Sequence, residues 1–479
     1  MPRRVPQLYN CQEATFESCE ACVGVRLYVN SPRRVQAQPY PTARILSFFL
    51  SYRHLKTSKA FFNTLVIEYT SFMIRPYEPN DKNHCIRILK EVGWLEGKDS
   101  DSSLFDAYVS NSTAFVAELE GVAEVFAITR GGDCRYLAQD LPFSAVTGVI
   151  TSRVARQQGL AAKVTARAIA ESAKSGAAMS LLGMFDQGYY EKFGYGSTVY
   201  TRHSTIDPAS LNVPRLTRAP KRLDASDAQA IHDCRNRRRR YHGGCTLHGA
   251  GETSATLLWS EGGFGLGFEN EGGELTHCMW IEAKGEHGPY SVVFSAWETH
   301  TQFIELLSVL KSLSDQVYGV RMADPPHMQL QDFLTRPIAT SRIRKGGDFD
   351  SKVLSQVWMQ GRILDVPRCI GSMKCCGEPV SFTLSLTDPI EKYLPEHAAW
   401  QGVSGDWIVT IGPESSAIPG NDASLPSATA TVNDLSRIWF GAASAEAVSV
   451  TGNFRADNNL VQQIDSLVRF PAPSIDWNF

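Results

Sequence analysis

The stretch that most restricts the fold runs SAVTGVITSRVARQQGLAAKVTARAIAESAKSGAAMSLLGM, residues 144–184. It reads as strand, short loop, Ala-rich helix and buried strand. SAVTGVI is apolar and rich in β-branched residues. In the helix, Leu160, Val164 and Ala168 share a face, and Gly176 stands where a C-terminal glycine belongs. The loop between strand and helix has the spacing R-x-x-G-x-A, from Arg156 to Ala161. A helix N-terminus carries unpaired N–H groups and a partial positive charge. If the helix begins near Gln157, those groups face whatever lies beyond strand 145–151. Gly159 would clear a side chain from a close approach, and Arg156 supplies a cation. Such a loop can hold a diphosphate without a Walker lysine. Taken alone, the six residues fit a plain loop-to-helix junction better.

A second motif changes that balance. GYYEKFGYG (residues 188–196) follows the strand AAMSLLGM, about thirty residues on. Its order of aromatic, Tyr, Glu-Lys, aromatic, Gly, aromatic resembles the closing motif of the GNAT N-acetyltransferases. The resemblance implies that the R-x-x-G-x-A loop holds the diphosphate of acetyl-CoA, and that two parallel strands splay to admit pantetheine. Further features resemble the enhanced intracellular survival (Eis) acetyltransferase family: the helix FIELLSVLKSLSDQV leading to ADPPHMQL, then GRILDVPR, then an aromatic last residue after a Trp. The resemblance covers everything after residue 72. It implies an α+β chain of tandem GNAT (acyl-CoA N-acyltransferase) domains followed by a sterol-carrier-protein-like α+β domain. It also implies a homo-hexamer that acetylates primary amines of aminoglycoside-like small molecules or lysine side chains, with acetyl-CoA as cosubstrate and no metal.

The same resemblance assigns roles. Val149, Ile150 and Thr151 lie on the strand whose backbone pairs with pantetheine, and one N–H there faces the thioester oxygen. Arg156, Gln157, Gln158, Gly159, Leu160 and Ala161 form the diphosphate loop. Tyr190 takes the place of the general acid toward the CoA sulfur, and Tyr189 the aromatic packing slot. The base is the α-carboxylate of Phe479, at the end of SIDWNF. The plainer reading is that Trp477 and Phe479 only pack a terminus. There are two departures. Gln157 and Gln158 stand where arginines are usual, leaving Arg156 and nearby Arg153 to supply charge. Asn478 stands where an acid would help bind polycationic acceptors, which counts against strong aminoglycoside activity.

The rest of the 479-residue chain divides by composition and punctuation. Residues 1–72 hold nine Lys and Arg against four Asp and Glu, while the whole chain has a formal net charge of −3. That segment reads as a disordered extension, an organelle presequence, or the product of an over-long start ahead of Met73. ILSFFL is too short and too charged at its flank to cross a bilayer. The N-terminal catalytic domain is expected over 73–206, with Asn80 or Asp81 capping a helix that places Ile86, Leu89 and Val92 on one side. A turn such as RGGD (130–133) is expected after the strand VAEVFAIT. A central degenerate GNAT-like domain is expected over 216–340, and its helix THTQFIELLSVLKSLSDQV is capped by Thr299 or Thr301. The C-terminal domain is expected over 357–479.

Other signals resolve to plainer readings. RNRRRRY (235–241) has no aromatic platform beside it and sits in an acidic chain, so a solvated helix end or a subunit contact is expected rather than a nucleic-acid site. GGFGLGFENEGG fails the G-x-G-x-x-G spacing and reads as a loop and strand. HGAGE has no G-x-S-x-G elbow to serve. Eleven cysteines with one C-x-x-C (Cys19, Cys22) and no second pair suggest a reduced, cytoplasmic protein. Cys375 and Cys376 are expected as packed or surface thiols. No membrane or nucleic-acid partner is expected. A non-catalytic CoA- or lipid-binding regulatory protein is the alternative to the enzyme.

Overall fold

The computed structural model describes residues 72–336, 350–477 and 479, so the expectations for residues 1–71, including Cys19 and Cys22, and for Asn478 lie outside the described residues. The first part of the chain runs β1 (Phe72–Pro76), α1 (Lys82–Glu91), α2 (Asp101–Val109), β2 (Thr113–Leu119), β3 (Val122–Tyr136), β4 (Gln139–Thr151), α3 (Leu160–Lys174), β5 (Met179–Gly183), α4 (Gln187–Glu191) and β6 (Gly196–Ser197). The middle runs β7 (Tyr200–Ile206), β8 (Lys221–Leu223), α5 (Ala228–Arg237), β9 (Cys245–Leu247), α6 (Gly251–Trp259), β10 (Gly263–Glu269), β11 (Leu275–Glu282), β12 (Tyr290–Ala296), α7 (His300–Ser312) and β13 (Val320–Ala323). The last part runs β14 (Lys352–Val357), β15 (Met359–Ile363), α8 (Val366–Gly371), β16 (Val380–Thr387), β17 (Gly405–Ile411), β18 (Ser416–Pro419), β19 (Ser427–Thr431), α9 (Val432–Trp439), α10 (Ala445–Thr451), β20 (Arg455–Ala456) and α11 (Asn458–Leu467).

Sheet membership does not follow chain order. The first sheet is ordered β1-β2-β3-β4-β5-β15-β6, with β9 added beside β3. The second is ordered β14-β7-β13-β12-β11-β10-β8, and the third β18-β17-β16-β19-β20. Strand β7, inside the expected catalytic domain, therefore lies in the second sheet. Strand β15, at the start of the expected C-terminal domain, lies between β5 and β6 in the first. Two short breaks make these passages: residues 198–199 between β6 and β7, and Trp358 between β14 and β15. The bond from Thr198 N–H to the Met359 carbonyl (3.0 Å) holds the two crossings side by side.

The expected turn at Arg130–Asp133 is instead the middle of the long strand β3. Gly132 is there for a close approach. Strand β9 pairs antiparallel with Gly132–Cys134, and a Cβ at Gly132 would overlap the Thr246 carbonyl. Helix α1 also departs from expectation. Asp81 precedes it without capping it, because its carboxylate is held by Arg75 (2.7 Å) and by the Glu78 N–H (2.9 Å). The buried residues of α1 are Cys85, Ile88 and Leu89, with Ile86 half-buried.

Helix α3 covers one face of the first sheet. Ala162, Ala166 and Ile169 meet Val146, Leu182, Tyr190, Phe193 and Tyr195 there. The third unit, built on the third sheet with α8–α11, covers the other face, where Tyr136, Phe143, Met179 and Leu181 share a core with Leu384, Leu435, Trp439 and Leu460. The Tyr136 ring stacks on Trp439 at 4.3 Å, and its hydroxyl donates to the Trp439 carbonyl (2.8 Å). A fully buried ion pair, Arg362 Nη2 to Asp388 Oδ2 at 2.6 Å, joins β15 to the third unit. The same guanidinium donates to the Phe193 carbonyl, pinning the segment after α4.

Candidate active site

The site grows from a fork in the first sheet. Strands β4 and β5 run parallel, paired only from Phe143–Val146 to Met179–Leu182. Beyond Val146, β4 continues to Thr151 against β3 alone. In an antiparallel ladder alternate backbone groups face away from the partner strand. Here those groups, around Val149–Thr151, have no strand beside them among the described residues. At the fork β4 carries an extra residue: Ile128 pairs with Gly148 and Thr129 with Val146, leaving Thr147 as a bulge. Tyr108 supplies the bond that the bulge removes, donating from its hydroxyl to the Thr147 carbonyl (2.9 Å). Gly148 makes room, since a Cβ there would overlap the Tyr108 hydroxyl.

Past the end of β4 the loop reaches α3, which starts at Leu160, three residues later than the sequence suggests. Gly159 is its N-cap, with φ of +74°, and Gln157 also has a positive φ of +62°. No side chain caps the helix. Among the described residues no acceptor meets the N–H groups of Gln157 through Ala161. Space around Gly159 is open, so its backbone conformation, not crowding, is what the structure gives as the reason for glycine. Arg156 is exposed and makes no ion pair among the described residues. The Gln158 amide turns back to the Val154 carbonyl (2.8 Å). Arg153 leans on Glu91: its backbone N–H donates to the carboxylate (2.8 Å) and its Nη2 to the carbonyl (3.4 Å). Leu160 is buried and Ala161 half-buried, so only their N–H groups are available to a ligand.

Tyr190 lies on the α3 face of the fork and is 4% exposed, against Val146, Leu182 and Phe193. Phe185, 73% exposed, meets its ring edge-on at 5.8 Å, as Tyr189 does at 5.0 Å. Its hydroxyl makes no hydrogen bond to another described residue. Burial, reinforced by Tyr189 and Tyr195, pushes its phenol well above the ordinary range, so it is protonated at neutral pH. Tyr195 is committed to Ser180 (2.7 Å). Tyr189 packs, with the Lys192 ammonium 3.9 Å over its ring, as its slot in the motif suggests.

Phe479 arrives from the opposite face. Its ring meets Phe143 of β4 at 5.8 Å, within the core shared with the third unit. Its backbone oxygen reaches Gly183, the last residue of β5: a Cβ at Gly183 would stand 2.9 Å from that oxygen and 3.1 Å from Trp358 Nε1. The two candidate groups thus approach the same fork from its two sides. Gly183 was missed in the sequence, although a glycine closing an otherwise apolar strand is a signal of close approach.

The basic run was misjudged in a different way. Arg235 and Arg238 are 3% and 6% exposed, neither solvated nor available to a partner surface. Arg238 grips Asp476 with Nη2 (2.5 Å) and Nε (3.0 Å), and Arg235 stacks on the Trp477 ring at 3.7 Å. Burial, then the neighbouring Arg238 cation, pull the Arg235 guanidinium down to about 9, still charged at neutral pH. Arg237 and Arg240 pair with Glu274 (3.1 Å) and Asp140 (2.9 Å).

The second sheet repeats the fork. Strands β12 and β13 run parallel over only Tyr290–Ser291 and Val320–Arg321. The helix between them, α7, differs from α3 at its N-terminus. Thr299 accepts from Gln302 N–H, and the Gln302 side chain accepts from Glu298 and Thr299 N–H (2.7 and 3.0 Å). This capping box fills the end that α3 leaves open. The Gly-rich stretch forms strand β10, in which Gly263 and Gly265 give room to Trp280.

Residues 73–198 match the acetyltransferase (GNAT) domain family. No curated protein matches the sequence. Among solved structures, the fold is similar to a probable N-acyltransferase from Enterococcus faecalis, with TM-score 0.69 and 16% identity, covering 85% of this chain and 100% of that one. It is similar to a GCN5-related N-acetyltransferase from Anabaena variabilis, with TM-score 0.66 and 12% identity, covering 84% and 98%. It is also similar to Eis1 from Mycobacterium abscessus, with TM-score 0.64 and 14% identity, covering 85% and 100%. At these identities the likeness is one of fold. The chain carries an N-acetyltransferase domain of the GNAT type in a mixed α+β fold that spans nearly the full length of those structures.

Proposed function

We propose that the protein is an Eis-type N-acetyltransferase that moves the acetyl group of acetyl-CoA to a primary amine by direct attack. The observation that carries the reading is the fork: an unpaired strand edge leading to an uncapped helix end, with Tyr190 and the chain end on its two sides. The diphosphate binds the N–H groups of Gln157–Ala161 with Arg156 as counter-charge. Pantetheine pairs with β4 along Val149, Ile150 and Thr151, and an N–H of that edge stabilises the oxygen of the tetrahedral intermediate, worth roughly 3 kcal/mol.

The acceptor must shed a proton to attack. The Phe479 carboxylate accepts it, directly or through water. The neutral amine nitrogen bonds to the acetyl carbon, the C–S bond breaks, the Tyr190 hydroxyl gives its proton to the departing sulfur, and the second proton lost from the new amide nitrogen returns through solvent to restore Tyr190. The acceptor is a small-molecule amine or a lysine side chain. The second GNAT-like unit and the third unit, read as sterol-carrier-like, act as scaffold, and the assembly is read as a homo-hexamer. Thiol release from acetyl-CoA with a panel of amines tests the reading, and turnover is expected with at least one. Saturable CoA binding without turnover on any amine would assign a non-catalytic binding protein instead.

A further inference from the structure

We propose that Arg238, assisted by Arg235, is the positioning residue for the terminal carboxylate, so that the second unit serves the reaction by holding the chain end. This rests on the reading of Phe479 as base. The last residues, 468–477 and 479, have no helix or strand of their own. A free terminus frays, and a base that wanders is a poor base. The structure restrains this one at three successive points. Ser474 N–H donates to the His242 carbonyl (2.7 Å), across Gly243, where a Cβ would stand 2.7 Å from the Ser474 nitrogen. Asp476 takes two bonds from Arg238 and a third from Cys245 N–H (3.1 Å). Trp477 is 1% exposed, lying against the guanidinium groups of Arg235 (3.7 Å) and Arg238 (5.2 Å).

Geometry gives the anchor its value. Phe479 is two residues beyond Trp477, and two residues span at most ~7 Å. Fixing Trp477 therefore confines the carboxylate to the neighbourhood of Gly183. The anchor is built into the fold: Arg238 also donates to the carbonyls of Cys245 (2.7 Å) and Arg235, so its guanidinium is aimed before the tail arrives. Arg235 is a buried cation whose stacking partners are Phe294 (4.0 Å) and Trp477. A buried charge is costly unless compensated, and the Trp477 ring supplies part of the compensation. Seating the tail and satisfying the second unit are thus one event.

The test uses the full chain with Arg238→Gln, Arg238→Lys and Asp476→Asn, each checked for melting temperature, beside a chain extended past Phe479 by several glycines. The latch variants are expected to lose roughly 10- to 100-fold in kcat, with KM for acetyl-CoA unchanged within about twofold. Arg238→Lys keeps the cation without the two-pronged bond and should fall between wild type and Arg238→Gln. Asp476→Asn combined with Arg238→Gln should be no worse than either alone, because both break one device. Wild-type kcat in folded latch variants, with an inactive extended chain, would overturn the latch and leave the base standing. Full activity of the extended chain would remove the base and the latch with it. If Arg238→Gln does not fold, Arg238→Lys and Asp476→Asn carry the same comparison.

Discussion

In the proposed mechanism Tyr190 is a donor held in reserve. Its raised phenol keeps the proton through the working range, yet a raised phenol is a weak acid. On that proposal its contribution is a hydrogen bond that strengthens as negative charge grows on sulfur, with transfer late in the step. Tyr190→Phe keeps the ring packing and removes only the hydroxyl. The expected result is a fall in kcat of roughly 10²–10⁴ with little change in CoA affinity, read from steady-state kinetics and CoA titration. Gly183 is the complementary case. Valine there would put carbon against the Phe479 oxygen and the Trp358 indole. Gly183→Val should bind CoA normally but lose about 100-fold in kcat, because displacement of a reacting group by an ångström costs that much.

At the scale of elements, the legible parts were those set by local pattern. The strand, loop and helix of residues 144–174 and the cap at Thr299 follow from periodicity and capping chemistry. The Tyr189 and Tyr190 slots rest on motif register, and the role of Tyr190 belongs to the proposal. What local pattern could not give was anything set by a distant strand. Gly131–Gly132 looks like a turn until β9 is brought against it. Arg235 and Arg238 look like a solvated helix end until a tail about 240 residues on lies over them. Asp81 looked like a helix cap, yet β1 supplies Arg75 to claim it. That pair makes a pH prediction. Burial pushes the Asp81 carboxyl up, but the Arg75 bonds and the Glu78 N–H outweigh it and hold it below its ordinary value. The stability it adds is present above the unfolded pKa near 4 and lost as pH falls through the lower folded value. Asp81→Asn should cost about 1–2 kcal/mol at pH 7 in urea unfolding. The difference from wild type should shrink steadily below about pH 4.

For the whole molecule, the exchange of strands matters more than the number of domains. The segment that matches the GNAT domain family, residues 73–198, does not complete its own sheet. Its β5 finds its second neighbour in β15, more than 170 residues later. Cut at residue 206, that fragment would expose the β5 edge and carry β7 with no sheet to join. It is expected to aggregate or to remain partly unfolded, as measured by size-exclusion chromatography and circular dichroism. The full chain should be soluble and folded under the same conditions. Sequence reading placed boundaries where composition changes, and composition carries no record of which sheet a strand joins.

Strand β15 also sets an order of events during synthesis. As the polypeptide leaves the ribosome, the sheet that carries the fork stays one strand short until residues 359–363 have emerged. Until then the β5 edge is unoccupied, so a nascent chain of more than 170 further residues must be kept from pairing with the wrong neighbour. A truncated product has an unfinished sheet unless it includes that strand, which makes synthesis past residue 363 a precondition for a closed sheet.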